Sequence, residues 1–187
     1  MSVLALDVSG IPRTWVSFDE AIKYHAANAV VWSLGEVVAR YRGGTQNDGT
    51  VSYLETTSII AVRGTGFDLN KHSKVTLSNR SLFGRDRMMC CYCKQVFPNF
   101  RDLTRDHIVP VSKGGDDTWL NCVASCQACN SKKGNKLLSE TDLELAYLPY
   151  VPNYWEQLIL QGRNILSDQM EYLLKGVPKQ SRLTNVT

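Results

Sequence analysis

The 187-residue chain has no apolar run approaching the roughly 20 residues needed to span a bilayer, so the sequence argues against a membrane-spanning helix. Its start, MSVLALDVSGIP, lacks both a basic leading segment and a long apolar stretch, so no secretory signal is expected there. It shows no internal repeat, which excludes solenoids and propellers, and no low-complexity segment. These absences lead us to expect an intracellular, cytoplasmic protein. There the six cysteines would stay reduced, and metal binding is a better first reading than disulfides.

At 43% hydrophobic and 21% charged, the composition is that of an ordinary globular protein. The net charge of +3 says little, but its distribution says more. Residues 1–69 carry net −2 and residues 137–187 carry net −2, whereas residues 70–136 hold 12 Lys/Arg against 5 Asp/Glu, a net +7. The positive charge lies in the same third of the chain as every cysteine. Such a block suits a polyanion such as nucleic acid, although a solvated basic surface is the plainer reading.

The expected organisation is α+β. Residues 2–8 read as a strand, and Ser17 with Glu20 forms a capping box for a helix near 18–28. Residues 29–40 and 58–63, rich in Val and Ile, read as strands around the turn-rich RGGTQNDGT. Residues 1–70 thus form an N-terminal α+β extension with no visible chemistry. Residues 78–87 begin with capping residues and suggest a short helix. LTRDHIVPV reads as a strand, SKGGDDT as a turn and CNSKKGN as the start of a helix. In residues 137–175, helical spacing predicts C-terminal helices over Glu140–Leu148 and Asn153–Leu174; Trp155, Leu158, Ile159, Ile165, Leu166, Met170 and Leu173 form the apolar stripe of the second. The tail, 176–187, is expected to be mobile.

Two CxxC pairs, Cys90/Cys93 and Cys126/Cys129, give four thiolates suited to tetrahedral Zn²⁺, with an iron–thiolate centre or a redox pair as the alternatives. Four cysteines leave no open coordination position, so this zinc would be structural. Cys91 and Cys122 are left over and read as small buried hydrophobes. Drawing the two pairs together closes residues 94–125 into a loop beside residues 126–136.

That loop holds chemistry suited to phosphodiester hydrolysis. His107 offers a general base, since imidazole titrates near neutrality. Asp106 and Asn130 offer hard oxygens suited to Mg²⁺ or Mn²⁺. Asn121 can hydrogen-bond across the hairpin and orient His107. Each has a plainer reading: Asp106 as a salt-bridge partner of Arg101 or Arg105, and the asparagines as turn and cap residues.

The string Arg105-Asp106-His107-Ile108-Val109-Pro110, then Gly114-Gly115, Trp119-Leu120-Asn121 and Cys126-Gln127-Ala128-Cys129-Asn130-Ser131-Lys132-Lys133-Gly134 resembles the HNH endonucleases, the His-Me finger or ββα-metal nucleases. His107, Asn121 and Asn130 stand at the three signature positions, with Asn in place of the third His, as in the HNN branch. The stretch NRSLFGRDRMMCCYC resembles the helix and first zinc knuckle of four-cysteine, zinc-stabilised bacterial and phage members, which implies a bacterial or phage-encoded protein. The resemblance implies a ββα-metal core over 78–136. It also implies a metal-dependent endonuclease that cuts or nicks double-stranded DNA to 5′-phosphate and 3′-hydroxyl ends. His107 would be the base, Asp106 and Asn130 the ligands of one divalent ion, and Asn121 the residue that positions the base. Arg85 and Arg87 would lie near the scissile phosphate, and Lys132, Lys133 and Lys136 would hold the DNA backbone. One active site per chain means that a double-strand break takes two events or a homodimer. The alternative is a non-catalytic zinc-binding nucleic-acid module.

Structural zinc carries folding free energy on the order of 10 kcal/mol in small domains. Cys126→Ser is therefore expected to give insoluble or unfolded protein and Cys122→Ser to stay folded. Elemental analysis showing no zinc in pure, folded protein would contradict the assignment.

Overall fold

A computed structural model describes residues 2–64 and 76–184. The chain divides into two compact units, one of Met1–Lys74 with Gln161–Gly176 and the other of Val75–Leu160 with Val177–Thr187. Both mix helix and strand, so the fold is α+β as expected. Among the described residues no helix is long and apolar enough to cross a membrane.

In the first unit β1 (Val3–Leu6), β2 (Pro12–Val16), β3 (Val30–Thr45) and β4 (Val51–Val62) form a sheet in the order β2-β1-β4-β3. β1 is central, antiparallel to β2 and parallel to β4. Its four residues are all buried, which explains its unbroken apolar sequence. Helix α1 (Phe18–Ala26) begins with the expected Ser17–Glu20 capping box and sends Ala21 into a core with Val3, Ala5, Val16 and Ile60. The sequence reading missed β2. It also placed the RGGTQNDGT turn too broadly, since β3 runs through Thr45 before the chain turns.

The second unit is built on the antiparallel pair β5 (Leu103–His107) and β6 (Cys122–Cys126), followed directly by α3 (Gln127–Lys133). Helix α2 (Asn79–Arg85), capped by Ser78, is the expected short helix. One face of the strand pair carries Leu103, Cys122 and Ala124, which pack with Leu82, Phe83 and Trp119. On the other, Val123 joins Cys90, Cys91, Tyr92 and Cys126. β5 stops at His107, shorter than the predicted strand, because Asn121 and the Gly114–Gly115 turn take over the backbone hydrogen bonds beyond it.

The C-terminal region departs most from expectation. Glu140–Leu148 is not a helix. Leu143, Leu145 and Tyr147 alternate toward the cysteine cluster, and Ala146 N–H donates to the Cys91 carbonyl at 2.7 Å. The second predicted helix is two, α4 (Tyr154–Gln161) and α5 (Ser167–Leu174), interrupted near Gly162 and Asn164, whose φ is +52°. α5 belongs to the first unit, where the Gln169 amide donates to the carbonyls of Ser2 and Ser58. The stretch expected to be a mobile tail carries buried Val177 and Ser181, and the Ser181 hydroxyl donates to buried Glu156.

Candidate active site and metal centre

The four sulfurs of Cys90, Cys93, Cys126 and Cys129 lie within 4.8 Å of one another. A tetrahedral ion with Zn–S bonds of about 2.3 Å separates its sulfurs by about 3.8 Å, so the cluster is compatible with zinc. The local chain is shaped for it: Lys94 turns the first knuckle at φ +63°, and Cys126 Sγ caps α3 by accepting from Cys129 N–H. Burial works against a Cys90 thiolate, but backbone N–H groups of Cys126, Cys93 and Tyr92 outweigh it and bring the thiol down to about 7. Cys91 and Cys122 are fully buried, and burial pushes their thiols up to about 11 and about 12 respectively, which keeps both protonated.

Adjacent strand residues point to opposite faces, and this alternation splits the predicted site. Arg105 and His107 share one face of β5, paired with Ala124 and Cys122, while Thr104 and Asp106 share the other, beside α3. Asp106 and Asn130 are therefore not brought to His107. Asp106 is only 5% exposed, with one oxygen taken by the Tyr92 hydroxyl and the other by Lys133 Nζ at 3.1 Å. The Asn130 amide donates to Thr104 Oγ1 at 2.8 Å. An ion at Asp106 would have to occupy the seat of the Lys133 ammonium, so in this arrangement the Asp106–Asn130 pair does not fit a divalent ion.

Three basic residues change role. Arg85 is fully buried, paired with Asp86 and donating to the carbonyls of Trp119, Cys122 and Tyr150 at 2.6, 2.8 and 2.9 Å. It braces β6 and cannot reach a phosphate or take part in catalysis there. Lys133 is equally buried and also donates to the His107 carbonyl at 2.6 Å, so it holds the end of β5 and not DNA. Arg105, read from sequence only as a possible partner of Asp106, instead binds Asp117 through both carboxylate oxygens at 2.6 Å. Arg87, Lys132 and Lys136 are exposed, as a DNA contact requires.

Asn121 acts on the loop, one residue removed from His107. Its side chain accepts from Val109 N–H at 2.8 Å and donates to the carbonyls of Val109 and Asp116. The glycine pair serves the same turn: Gly114 sits at φ +85°, and a Cβ on Gly115 would fall 1.7 Å from the Val109 carbonyl oxygen. Asp117 is the residue sequence reading missed, because GGDDT reads as a plain turn. Its Oδ1 lies 3.0 Å from His107 Nε2. Its carboxyl is held below the usual carboxylate range, chiefly by the Arg105 hydrogen bond. The His107 side chain is 24% exposed, open to solvent yet anchored.

Residues 90–145, which carry this geometry, match the HNH endonuclease family model. No curated protein matches the chain. The matched stretch contains the four cysteines, β5, β6, α3 and the His107 turn, and it supports a nuclease or nucleic-acid-related function for this region.

Removing one partner of a buried ion pair typically costs about 3–5 kcal/mol. Arg85→Met should lower stability by that order in urea unfolding, while exposed Lys132→Ala should stay within about 0.5 kcal/mol of wild type. If Arg85→Met unfolds at the wild-type midpoint, the bracing role is wrong.

Proposed function

We propose that this chain is a metal-dependent DNA endonuclease that hydrolyses phosphodiester bonds of double-stranded DNA, with His107 as the general base. The observation that carries the reading is the His107–Asp117 pair: a part-exposed imidazole at a strand end, inside the stretch that fits the HNH family, with its Nε2 tied to a carboxylate. Asp117 accepts a hydrogen bond from Nε2–H, which leaves Nδ1 as the basic atom available to a water. Nδ1 takes a proton from that water, the hydroxide oxygen bonds to phosphorus, and the bond to the 3′ oxygen breaks. The departing oxygen takes a proton from solvent, leaving 5′-phosphate and 3′-hydroxyl ends. Asn121 positions the base through the Val109 backbone. Arg87, Lys132 and Lys136 supply phosphate contacts. The zinc held by Cys90, Cys93, Cys126 and Cys129 is structural.

The proposal keeps Mg²⁺ or Mn²⁺ as the required ion, on family grounds. Asp106 and Asn130 are its candidate ligands only if Lys133 leaves Asp106. Each chain then cuts one strand per event, and a homodimer would cut both. A second reading, a non-catalytic zinc-binding nucleic-acid module, is favoured by one observation: Asp106 is sealed by Tyr92 and Lys133.

Supercoiled-plasmid nicking across a Mg²⁺ titration separates the two. His107→Ala should keep zinc content and DNA affinity yet lose nicking by about 10²–10⁴-fold. Asp117→Asn should lower kcat by about 10–100-fold, the usual worth of a group that orients a functional one, with KM little changed. Undiminished nicking by His107→Ala refutes the mechanism. Wild type that binds DNA but cuts nothing with Mg²⁺ or Mn²⁺ establishes the binding module instead.

A further inference from the structure

The four cysteines are not the only described residues whose metal-ligating atoms converge. His107, Asp117 and Cys122 each offer one ligand atom, and these also lie within 4.8 Å of one another. The placement follows from the register. His107 and Cys122 are cross-strand partners on β5 and β6, which sets their side chains side by side on the face away from α3. Asp117 closes over them from the loop, with Oδ1 3.0 Å from His107 Nε2 and 3.3 Å from Cys122 Sγ.

Those spacings are close to what an ion would impose. With Zn–N and Zn–O bonds of about 2.0–2.1 Å and Zn–S of about 2.3 Å, tetrahedral angles put N and O about 3.3 Å apart and S and O about 3.5 Å apart. A nitrogen, an oxygen and a sulfur form a three-ligand set that leaves a fourth position to water. The sulfur and the imidazole favour Zn²⁺ over Mg²⁺, which prefers all-oxygen surroundings. Cys122 is buried, but the Asp117 side chain is 56% exposed, so the approach lies over the carboxylate. Arg105 does not block it: its Nη1 lies 2.6 Å from each Asp117 oxygen and can keep Oδ2 when Oδ1 turns to an ion.

We propose that His107, Asp117 and Cys122 form a second metal site, selective for Zn²⁺ over Mg²⁺, whose occupation takes the His107 imidazole out of catalysis. Binding forms one bond from the ion to each of Nε2, Oδ1 and Sγ, shifts the imidazole proton from Nε2 to Nδ1, so that Nδ1 is no longer basic, and releases the Cys122 thiol proton to solvent, with no change of oxidation state. The inhibitory consequence rests on the endonuclease reading; the site itself does not.

The test is zinc stoichiometry on the full chain, measured by elemental analysis after Zn²⁺ addition and removal of free ion. Wild type should hold one zinc more than Cys122→Ala or Cys122→Ser. With the tightly held zinc kept in place, added Co²⁺ should give a thiolate charge-transfer absorption in wild type and none in the Cys122 variants. Equal zinc content in wild type and variants, or the same Co²⁺ band in both, overturns the site. Should neither Cys122 variant fold, Asp117→Asn serves the same stoichiometric comparison, again with one zinc fewer expected. In plasmid nicking with Mg²⁺, added Zn²⁺ should suppress wild type, whereas Cys122→Ala keeps its basal rate and loses the zinc sensitivity. A protein that takes the extra zinc but never cuts refutes the nuclease reading and leaves the site standing. One that cuts, takes the extra zinc and is not slowed by it refutes the inhibition.

Discussion

A two-stranded sheet has little stability of its own in water, yet the position of His107 depends on the pairing of β5 with β6. The surrounding chain holds that pair from three directions. The sulfur cluster ties the start of α3, directly after β6, to the knuckle at Cys90 and Cys93. On one face the buried Arg85–Asp86 pair grips β6, the guanidinium through the Cys122 carbonyl and the carboxylate through Ala124 N–H at 2.8 Å. On the other face Lys133 grips β5 through the Asp106 carboxylate and the His107 carbonyl. Each buried charge has a partner of opposite sign and further hydrogen bonds, the condition under which a buried ion pair is tolerable at all.

This division explains what was legible in the sequence. The cysteine pairs could be read because two residues between ligands is a local geometric requirement, independent of the rest of the fold. The Ser17–Glu20 box and the Ser78 cap are equally local. Arg85 and Lys133 were misread because sequence alone does not say whether a cation is buried; that is decided by partners 34 to 65 residues away for Arg85 and 26 to 27 away for Lys133. Asp106 and His107 were assigned to one site because they are neighbours in sequence, although a strand places neighbours on opposite faces. That signal was available in the strand prediction itself. So was the extended character of Leu143, Leu145 and Tyr147, whose spacing of two fits a strip laid over the cysteine cluster and not a helix stripe.

Burial divides the basic block in the same way. Residues 70–136 carry net +7, but their positive charges do not all face outward. Arg85 and Lys133 are spent inside, Arg105 is committed to Asp117, and Lys113 pairs with Glu140. Among the described residues of the block, Arg80, Arg87, Lys94, Arg101, Lys132 and Lys136 are also exposed. The long-range field of the block is still positive, since burial does not remove charge. In the endonuclease reading proposed above, the field of the whole block would attract DNA and only its exposed members could touch it.

Lys133 links the two faces of the strand pair. One ammonium holds the Asp106 carboxylate and the carbonyl of His107, the residue whose imidazole points the other way. The stem of that side chain comes from the last turn of α3, which also carries Asn130 and lies against β5 through Thr104. A change at the Asp106 face that draws Lys133 away would remove a hydrogen bond from the backbone that sets the direction of the imidazole. Asn121 would limit the resulting movement, because its three bonds fix the chain from Val109 to Asp116 without using Lys133. His107 is thus held twice, by the Lys133 ammonium on its carbonyl and by a turn that Lys133 does not touch.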